Sequence, residues 1–345
     1  MDVLLTNATL GRQWLVQLGS GAAAAGVSVQ LCMAYPRHAL QSLEMPTATQ
    51  IRASDDHVPG KGGGNTAVQW KMGYSSMLAW ALGLAPFKDN YWSTAQEPGS
   101  SCGANATEVT PSLHNAASVY SAGPVAPGDG VGLSDVAQIL RACNAAGRLL
   151  QPSRPATAID AQVAGDVFGA GAGRPKGNVH ATFTLLSGFA WDHAMAVDLA
   201  APYALTVADF AGVRRQGPPP GGVAYSLNAD SLDAATLEVA PFDEAHPIPL
   251  RACSFADWQL VHAAPVFSNG WALLGELEKY VPVAEARFSS VEADGSGVRV
   301  GVEGAAGEAV RITFYDTAAG KAVVVPCVLP ESGAATASVP AGTCE

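Results

Sequence analysis

Helical and strand patterns alternate along roughly the first 150 residues, and this alternation constrains the fold more than any other feature of the chain. Runs rich in β-branched and alternating residues predict strands over 27–35, 47–54 and 85–92. Apolar residues at helical spacing predict helices over 9–25, 67–84, 112–123 and 133–147, the last with Ser134 as its cap. Strands that alternate with helices are typical of a parallel sheet. The first part of the chain is therefore predicted to be α/β.

Polar residues gather where the predicted strands end. The groups are Cys32 to Arg37, Arg52 to Asp56, Lys88 to Asn90, and Asp129. In a (β/α)₈ barrel the carboxyl ends of the strands form the active face, so these groups are candidates for a site. Asp55 and Asp56 are adjacent carboxylates that repel each other, and a site that uses both would explain them. The alternative is a solvated turn that caps the next helix.

The pattern changes after residue 160. A Gly-rich stretch, GAGAGRPKGN, predicts a connector. Beyond it, short alternating runs separated by turns predict an all-β sandwich, with GWALLGELEKY the one candidate for a longer helix. The predicted organisation is a partial (β/α) barrel over 1–160, a connector over 161–178 and an antiparallel β-sandwich over 179–345.

Charge and hydropathy exclude two classes of partner. The net charge is −11, and the one local basic cluster is Arg214-Arg215, which is too small to neutralise a nucleic acid backbone. No apolar run reaches the roughly 18–20 residues of a membrane span. We expect no signal peptide in this chain, although two N-glycosylation sequons, at Asn7 and Asn105, favour secretion. The compartment stays open.

The cysteines and the loops predict no metal and no cofactor. Six cysteines are present without a CxxC pair, which disfavours zinc. Cys327 and Cys344 are the most plausible local disulfide, with free buried thiols as the alternative. The SAGPVAPGD segment lacks the Lys-Ser/Thr ending of a phosphate loop. No metal-ligand spacing links His38, His57 and His114, so structural roles are expected for them.

Four blocks at the strand ends resemble a known family in their order and content. The blocks are CMAYPRHALQS, TQIRASDDHVPG, APFKDNYWS and SVYSAGPVAPGDGVG, and PSRPATAID follows them. They are similar to the C-terminal half of the catalytic barrel in the raffinose synthase and alkaline α-galactosidase group of the α-galactosidase clan. The chain departs from the group at His57, where the group has an aromatic residue, and at Lys88, where it has tryptophan.

The resemblance implies a retaining glycosidase or transglycosidase that acts on α-galactosides or related oligosaccharides with two carboxylates. Asp55 is implied to be the general acid/base, with Asp56 close enough to raise one pKa of the pair. The other residues implied to contact or orient the sugar are Arg52, Asp56, Asp89, Asp129 and Cys32. Trp70 and Trp92 are candidates for stacking on sugar faces, with burial in the core as the alternative.

The resemblance also implies that one catalytic group is absent. The nucleophile of the group follows a strand that precedes the first helix predicted here, and Asp2 has no strand before it. We therefore expect the chain alone to be inactive. Three explanations stay open: a truncated protein, a half barrel completed by a partner chain, or a catalytically inactive carbohydrate-binding or structural protein.

Overall fold

A computed structural model describes residues 6–60, 66–169, 173–214, 221–227 and 237–345. The centre of the predicted connector, at 170–172, lies outside the described residues. So do KGGGN (61–65), whose sequence predicts a Gly-rich loop, and most of QGPPPGG (216–222), whose sequence predicts a turn between strands. Arg215, half of the small basic cluster, also lies outside them. Within the described residues, an α/β part is followed by an all-β part, which confirms the predicted fold class at that level.

Among the residues that the structure describes, the α/β part has three short parallel strands and the six helices given below. The strands are β1 (Val29–Leu31), β2 (Ala48–Arg52) and β3 (Ala85–Phe87), hydrogen-bonded in that order. The helices are α1 (Ala8–Ala24), α2 (Pro36–Gln41), α3 (Thr66–Gln69), α4 (Gly73–Ala81), α5 (Pro111–Tyr120) and α6 (Val136–Leu140), with a 3₁₀ turn over Ser42–Glu44. Every strand therefore runs in the same direction, with helical connections between strands.

Local chemistry explains where α1 begins and how it packs. The Asn7 side chain accepts a hydrogen bond from Leu10 N at 3.0 Å and caps the helix. Gly19 lies against Met45, where an added Cβ would come within 3.1 Å of a side-chain carbon. Leu15 and Met45 join Ile51 of β2 in one apolar cluster. The helix is therefore fixed onto the sheet by a small-residue contact and by shared apolar burial.

The two edges of the parallel sheet differ. On the β3 side, Tyr91 forms a parallel bridge with Pro127, and its N–H donates to Ala126 O at 3.3 Å. Gly128 N donates to Tyr91 O at 2.7 Å, so the chain near 126–128 extends the sheet. On the other side, no strand of the described residues pairs with β1. The sheet is therefore open at β1 as far as the structure describes it.

Two predicted helices are shorter than their apolar periodicity indicated. The helix predicted over 67–84 is α3 and α4, separated at residues 70–72 because Trp70 and Met72 both turn into the core. The helix predicted over 133–147 is confined to α6. Its cap is Asp135, whose side chain accepts from Gln138 N at 3.0 Å, so the prediction of Ser134 was one residue early.

The all-β part is built mainly from antiparallel sheets. The strands are β4 (Thr157–Ala158), β5 (Asn178–Leu186), β6 (Phe189–Val197), β7 (Tyr203–Leu205), β8 (Gly222–Leu227), β9 (Val239–Phe242), β10 (Ile248–Leu250), β11 (Gln259–Ala264), β12 (Trp271–Gly275), β13 (Phe288–Asp294), β14 (Gly297–Glu303), β15 (Ala309–Asp316), β16 (Lys321–Val328), β17 (Ala334–Val339) and β18 (Thr343–Cys344). The largest sheet has the order β4-β5-β6-β11-β8-β9. Smaller sheets are β12-β15-β16, β13-β14-β17-β18 and β10-β7.

Two helices interrupt the region predicted to be connector and strands. Helix α7 (Asp160–Phe168) occupies the first half of the predicted connector, and α8 (Val207–Arg214) follows β7 where a continuous strand was expected. The run GWALLGELEKY contains strand β12, so the helix considered for it was wrong. No described helix is both long enough and apolar enough to cross a bilayer.

Alternate residues of the six-stranded sheet face different cores. Ala194 and Ala196 of β6 face an apolar cluster that includes Phe210 of α8. Met195, on the opposite face, joins Trp70 and Tyr120 in a second cluster. The α/β part therefore packs directly on one face of this sheet. A third cluster lies between that sheet and the two smaller C-terminal sheets.

A disulfide closes the C-terminal sheets. Cys327 and Cys344 are bonded, with Cα atoms 5.3 Å apart, which confirms the pairing considered from the sequence. The described structure leaves Cys32, Cys102, Cys143 and Cys253 as free thiols. The bond links β16 to β18 across 17 residues.

Removing this disulfide is expected to lower the free energy of unfolding by about 3 kcal/mol, because a bond across a loop of this length restricts the unfolded chain. The measurement is urea denaturation of a Cys327→Ala/Cys344→Ala variant, and of the wild type with and without reductant. Cys253→Ala, at a free thiol, is the matched control. Equal losses in the double variant and in the control would contradict the prediction.

Candidate functional site

Arg52, at the end of β2, stands at the centre of the strand-end polar groups. Its Nη2 lies 2.5 Å from Asp56 Oδ1, and its Nη1 lies 3.4 Å from Asp89 Oδ2. The Arg52 side chain is only 10 % exposed, so its guanidinium contacts both carboxylates from inside the protein. Ala53 N donates to Phe87 O at 2.9 Å and holds the ends of β2 and β3 together. The predicted meeting of these two strand ends is therefore present.

Asp55 and Asp56 have different surroundings although they are adjacent. Asp56 is paired with Arg52. The Asp55 carboxylate is exposed, and no ion pair to it is present among the described residues, whereas its backbone carbonyl accepts from Ser54 Oγ at 3.0 Å and from Gln69 Nε2 at 3.1 Å. The backbone of Asp55 is thus fixed while its carboxylate stays accessible.

A first cleft lies in front of Asp55. It has a volume of about 470 Å³ and is lined by the segments around Met33, Arg52 to Asp56 and Ser75 to Ala79. Met33 has a positive φ of 50° and is exposed. Cys32 is exposed too, but it is Met33 rather than Cys32 that lines this cleft. Cys32 itself is not among the residues that line this cleft.

Asp89, at the end of β3, connects the two strand ends. Its Oδ2 accepts from His57 N at 2.7 Å, and its own N–H donates to Ser54 Oγ at 2.9 Å. The contacts from His57 N and Arg52 occupy Oδ2, and the bonds to His57 and Ser54 tie the Ser54–His57 loop to β3. The structure thus brings Arg52, Asp56 and Asp89 together, with Asp55 beside them.

Asp129 acts on the loop between β3 and α5. Its Oδ1 accepts from Ser93 N at 2.6 Å, and its Oδ2 accepts from Ser93 Oγ at 2.7 Å. Ser93 Oγ in turn accepts from Asp135 N at 2.8 Å. Both carboxylate oxygens of Asp129 therefore already hold protein groups. This geometry supports a role in orienting the loop.

A second cleft, of about 380 Å³, lies on the other side of His57. Its lining includes His57, Asn90, Trp92 and Asp129. Trp92 is buried and meets the His57 ring edge-on, with ring centroids 5.7 Å apart. The predicted site residues are thus divided between two clefts, with Asp55 on the first and Trp92 and Asp129 on the second.

Trp70 has no face open to a ligand in this structure. Its side chain is 1 % exposed, and its Nε1–H donates to Ala67 O at 2.9 Å. The ring lies in the cluster that joins α5 to the six-stranded sheet. The core alternative considered for Trp70 is therefore the one that the geometry supports.

Lys88, which departs from the family pattern, is a buried internal cation. Its Nζ donates to Gln69 Oε1 at 2.8 Å, Asn90 O at 2.9 Å and Asp89 O at 3.1 Å. Burial lowers the pKa of Lys88 to about 7, while the nearby carboxylates of Glu108 and Asp89 act to raise it. Three acceptors match the three ammonium hydrogens. Lys88 thus ties α3 to the strand end instead of facing a cleft.

Sequence reasoning missed Glu108 and Gln69. Both are buried, and each binds a side chain at the strand ends. Glu108 binds His57, and Gln69 binds Lys88. The signal available in the sequence was Lys88 itself: an ammonium at the end of an apolar strand requires acceptors if it is buried. Nothing in the sequence identified Gln69 as the side chain that supplies one, because it lies 19 positions before Lys88, and nothing marked Glu108, which lies 51 positions from its partner His57.

In the described residues, no group of three or more His, Cys, Asp or Glu side chains is arranged to hold a metal ion.

A scan against models of known protein families and a search of curated proteins both find no match to this chain. What the strand ends offer is an exposed carboxylate, a paired carboxylate and a partly buried guanidinium beside an open cleft.

Proposed function

We propose that this chain is the carboxyl-terminal half of an α-galactosidase-like (β/α)₈ barrel followed by a β-sandwich. In this proposal it acts on α-galactosides or related oligosaccharides as a retaining glycosidase or transglycosidase. The observation that carries the proposal is the Arg52 contact with both Asp56 and Asp89 beside the accessible Asp55. Polar groups at the carboxyl ends of neighbouring parallel strands are where barrel enzymes place their catalysis.

Asp55 is the general acid/base in this mechanism. It protonates the leaving glycosidic oxygen and then takes a proton from the incoming water or sugar hydroxyl. Arg52 holds Asp56 and Asp89 in place, so their negative charges surround the position where positive charge develops on the sugar. The nucleophile is a carboxylate supplied from outside the described strands, about 5–5.5 Å from Asp55 in the retaining geometry.

The open edge of β1 is where the rest of the barrel would join. Leu10, Trp14 and Leu18 are exposed on α1 at intervals of four residues, which places them on one face of the helix. An exposed apolar stripe beside an unpaired parallel strand is a liability unless something covers it. In this proposal, further βα units cover both, from a preceding segment or from a partner chain.

The test is hydrolysis of an aryl α-galactoside by the chain alone and by the chain extended with its upstream coding sequence. We expect no turnover by the chain alone and turnover by the extended protein. Asp55→Asn in the extended protein is expected to lower kcat/KM for an alkyl α-galactoside, whose leaving group requires a proton, by about 10²–10⁴-fold, the usual contribution of an acid/base group. Turnover by the chain alone, or an Asp55→Asn variant as active as the wild type on the alkyl substrate, would contradict the proposal.

A second candidate is a catalytically inactive carbohydrate-binding or structural protein. The observation that favours it is the internal use of the carboxylates: Asp129 holds Ser93 with both oxygens, and Asp89 is bonded to His57 and Arg52. Upstream coding sequence without a strand that ends in a carboxylate would favour this candidate. Such a protein would still bind a sugar at the strand ends without hydrolysing it.

A further inference from the structure

Glu108 is a carboxylate without solvent contact beneath the strand-end loops. Its side chain is 0 % exposed, and its Oε2 lies 3.0 Å from His57 Nε2. Its Oε1 lies 3.3 Å from Nε2 of His114, in the first turn of α5. A buried carboxylate costs several kcal/mol unless hydrogen-bond donors surround it. The His57 imidazole supplies such a donor when it carries its proton on Nε2, and Thr110 N donates to Glu108 Oε1 at 3.4 Å.

His57 connects this buried carboxylate to the site. On one side its ring bonds Glu108, and on the other it lines the second cleft beside Trp92 and Asn90. Its backbone N–H meanwhile fixes Asp89. Because Nε2 is committed to Glu108, Nδ1 is the ring nitrogen that a ligand could engage. In the tautomer with hydrogen on Nε2, Nδ1 is a hydrogen-bond acceptor.

Carboxylates outnumber cationic groups around His57. Lys88 lies close enough to Glu108 and Asp89 for both to raise the pKa of its ammonium. Asp89 faces the backbone of His57, and Asp129 lines the same cleft. His57 therefore has the carboxylate of Glu108 beneath its ring, that of Asp89 at its backbone N–H and that of Asp129 along the cleft, with the Lys88 amine nearby. An acceptor nitrogen in such surroundings suits a neutral ligand that donates hydrogen bonds.

We propose that Glu108 is a positioning residue that holds His57 in the Nε2–H tautomer, so that His57 Nδ1 accepts a hydrogen bond from a sugar hydroxyl in the second cleft. The inference rests on the proposed function in that the ligand is a sugar. It adds a binding subsite beyond the cleft of Asp55. Two contacts fix the orientation of the His57 ring: the edge-on contact with Trp92 and the bond between Nε2 and Glu108.

The tautomer is tested on the chain itself without any ligand, by the nitrogen chemical shifts of its seven histidines after selective ¹⁵N labelling. We expect His57 in the wild type to carry its proton on Nε2. Glu108→Gln should shift His57 toward the other tautomer, and Glu108→Asp should restore part of the wild-type signal. Glu276→Gln, a buried carboxylate of the all-β part, is the matched control and should leave His57 unchanged. A wild-type His57 protonated on Nδ1 would overturn the proposal.

The ligand contact is tested by titration with D-galactose under the same conditions. We expect a saturable shift of His57 Nδ1 in the wild type and in Glu276→Gln, with Kd about tenfold weaker in Glu108→Gln, the value of one lost hydrogen bond. No shift of Nδ1 at saturating galactose would overturn the subsite. If the extended protein hydrolyses the α-galactoside but His57 Nδ1 does not shift with galactose, the subsite is rejected and the proposed reaction stands. If His57 Nδ1 shifts but the extended protein has no turnover, the proposed reaction is rejected and the subsite stands.

Discussion

Replacing Arg287 with methionine is expected to lower the free energy of unfolding by about 3–5 kcal/mol, because the change leaves buried carboxylates without their cationic partner. The Arg287 side chain is 1 % exposed. Its Nε donates to Glu276 Oε2 at 2.9 Å, and its Nη2 donates to Glu308 Oε1 at 2.5 Å. Its Nη1 donates to Glu303 O at 2.8 Å, so three segments of the C-terminal sheets depend on one guanidinium.

The network also reaches the α/β part. Glu308 Oε1 accepts from Ala145 N at 3.0 Å as well as from Arg287. Lys279 Nζ, 3.7 Å from Glu276, donates to the carbonyls of Leu140 and Cys143 at the end of α6. The loss of Arg287 should therefore weaken the contact between the two parts as well as the sheets themselves.

The measurement is urea denaturation, with Arg299→Met as the matched control. Arg299 makes the same kind of bond, to Glu292 Oε2 at 2.9 Å, but its side chain is 52 % exposed. Exposed pairs of this kind contribute about 0–1 kcal/mol. A loss in Arg287→Met no larger than in Arg299→Met would contradict the account of a buried network.

The second large effect is a steep loss of stability in mild acid, caused by three buried histidines. Burial lowers the pKa of His180 from 6.5 to about 4 and that of His193 to about 3, and it also lowers the pKa of His262. His193 and His262 meet through their Nδ1 atoms at 2.8 Å, and Thr184 Oγ1 lies 3.2 Å from His193 Nε2. One of these two Nδ1 atoms must stay unprotonated to accept the bond, so the contact is lost when both rings are imidazolium.

The sign of this pH dependence follows from the difference in bound protons between the unfolded and the folded protein. Below pH 6.5 the unfolded chain protonates all three histidines while the folded protein does not, so their contribution is complete above pH 6.5 and is lost as the pH falls toward 4. Each histidine contributes a slope of about 1.4 kcal/mol per pH unit. Asp192 acts in the opposite direction, because burial raises its pKa to about 7 although Arg214 lowers it. The net uptake on unfolding near pH 5.5 is thus about two protons.

Urea titrations between pH 5 and 7 measure this slope. His180→Gln should reduce it by about one proton, whatever the variant's absolute stability. His246→Gln is the matched control, because His246 is an exposed residue paired with Asp243 at 2.8 Å. An unchanged slope in His180→Gln, or an equal change in the control, would be inconsistent with acid sensitivity that arises from buried imidazoles.

The sequence predicted the parallel strands because their patterns depend on local residue spacing. Ala48–Arg52 lies within the strand predicted over 47–54, and Ala85–Phe87 lies within the one predicted over 85–92. The position of Arg52 to Asp56 at the end of a strand followed from the strand predicted over 47–54. What the sequence did not show is where a periodic run stops for tertiary reasons. Residues 70–72 break a helix because two side chains enter the core, and no local signal marks that requirement.

The polar partners could not be predicted for a different reason. Glu108 binds His57 across 51 positions, and Gln69 binds Lys88 across 19. Such pairs are set by the packing of loops, for which one sequence carries no periodicity. The disulfide was predictable because its cysteines are close along the chain. The role of Asp129 was only partly predictable, since its position beside the site followed from the order of the blocks but its bonds to Ser93 did not.

The central claim is that Asp55 transfers a proton to the leaving group of an α-galactoside. The most direct test compares kcat/KM of the extended protein and its Asp55→Asn variant on galactosides with a good and a poor leaving group. A nitrophenolate leaves without a proton, whereas an alkoxide requires one. The account predicts a loss of about 10²–10⁴-fold for an alkyl α-galactoside and a much smaller loss for the nitrophenyl substrate in the first, glycosylation step. Equal losses on both substrates would contradict the assignment of Asp55.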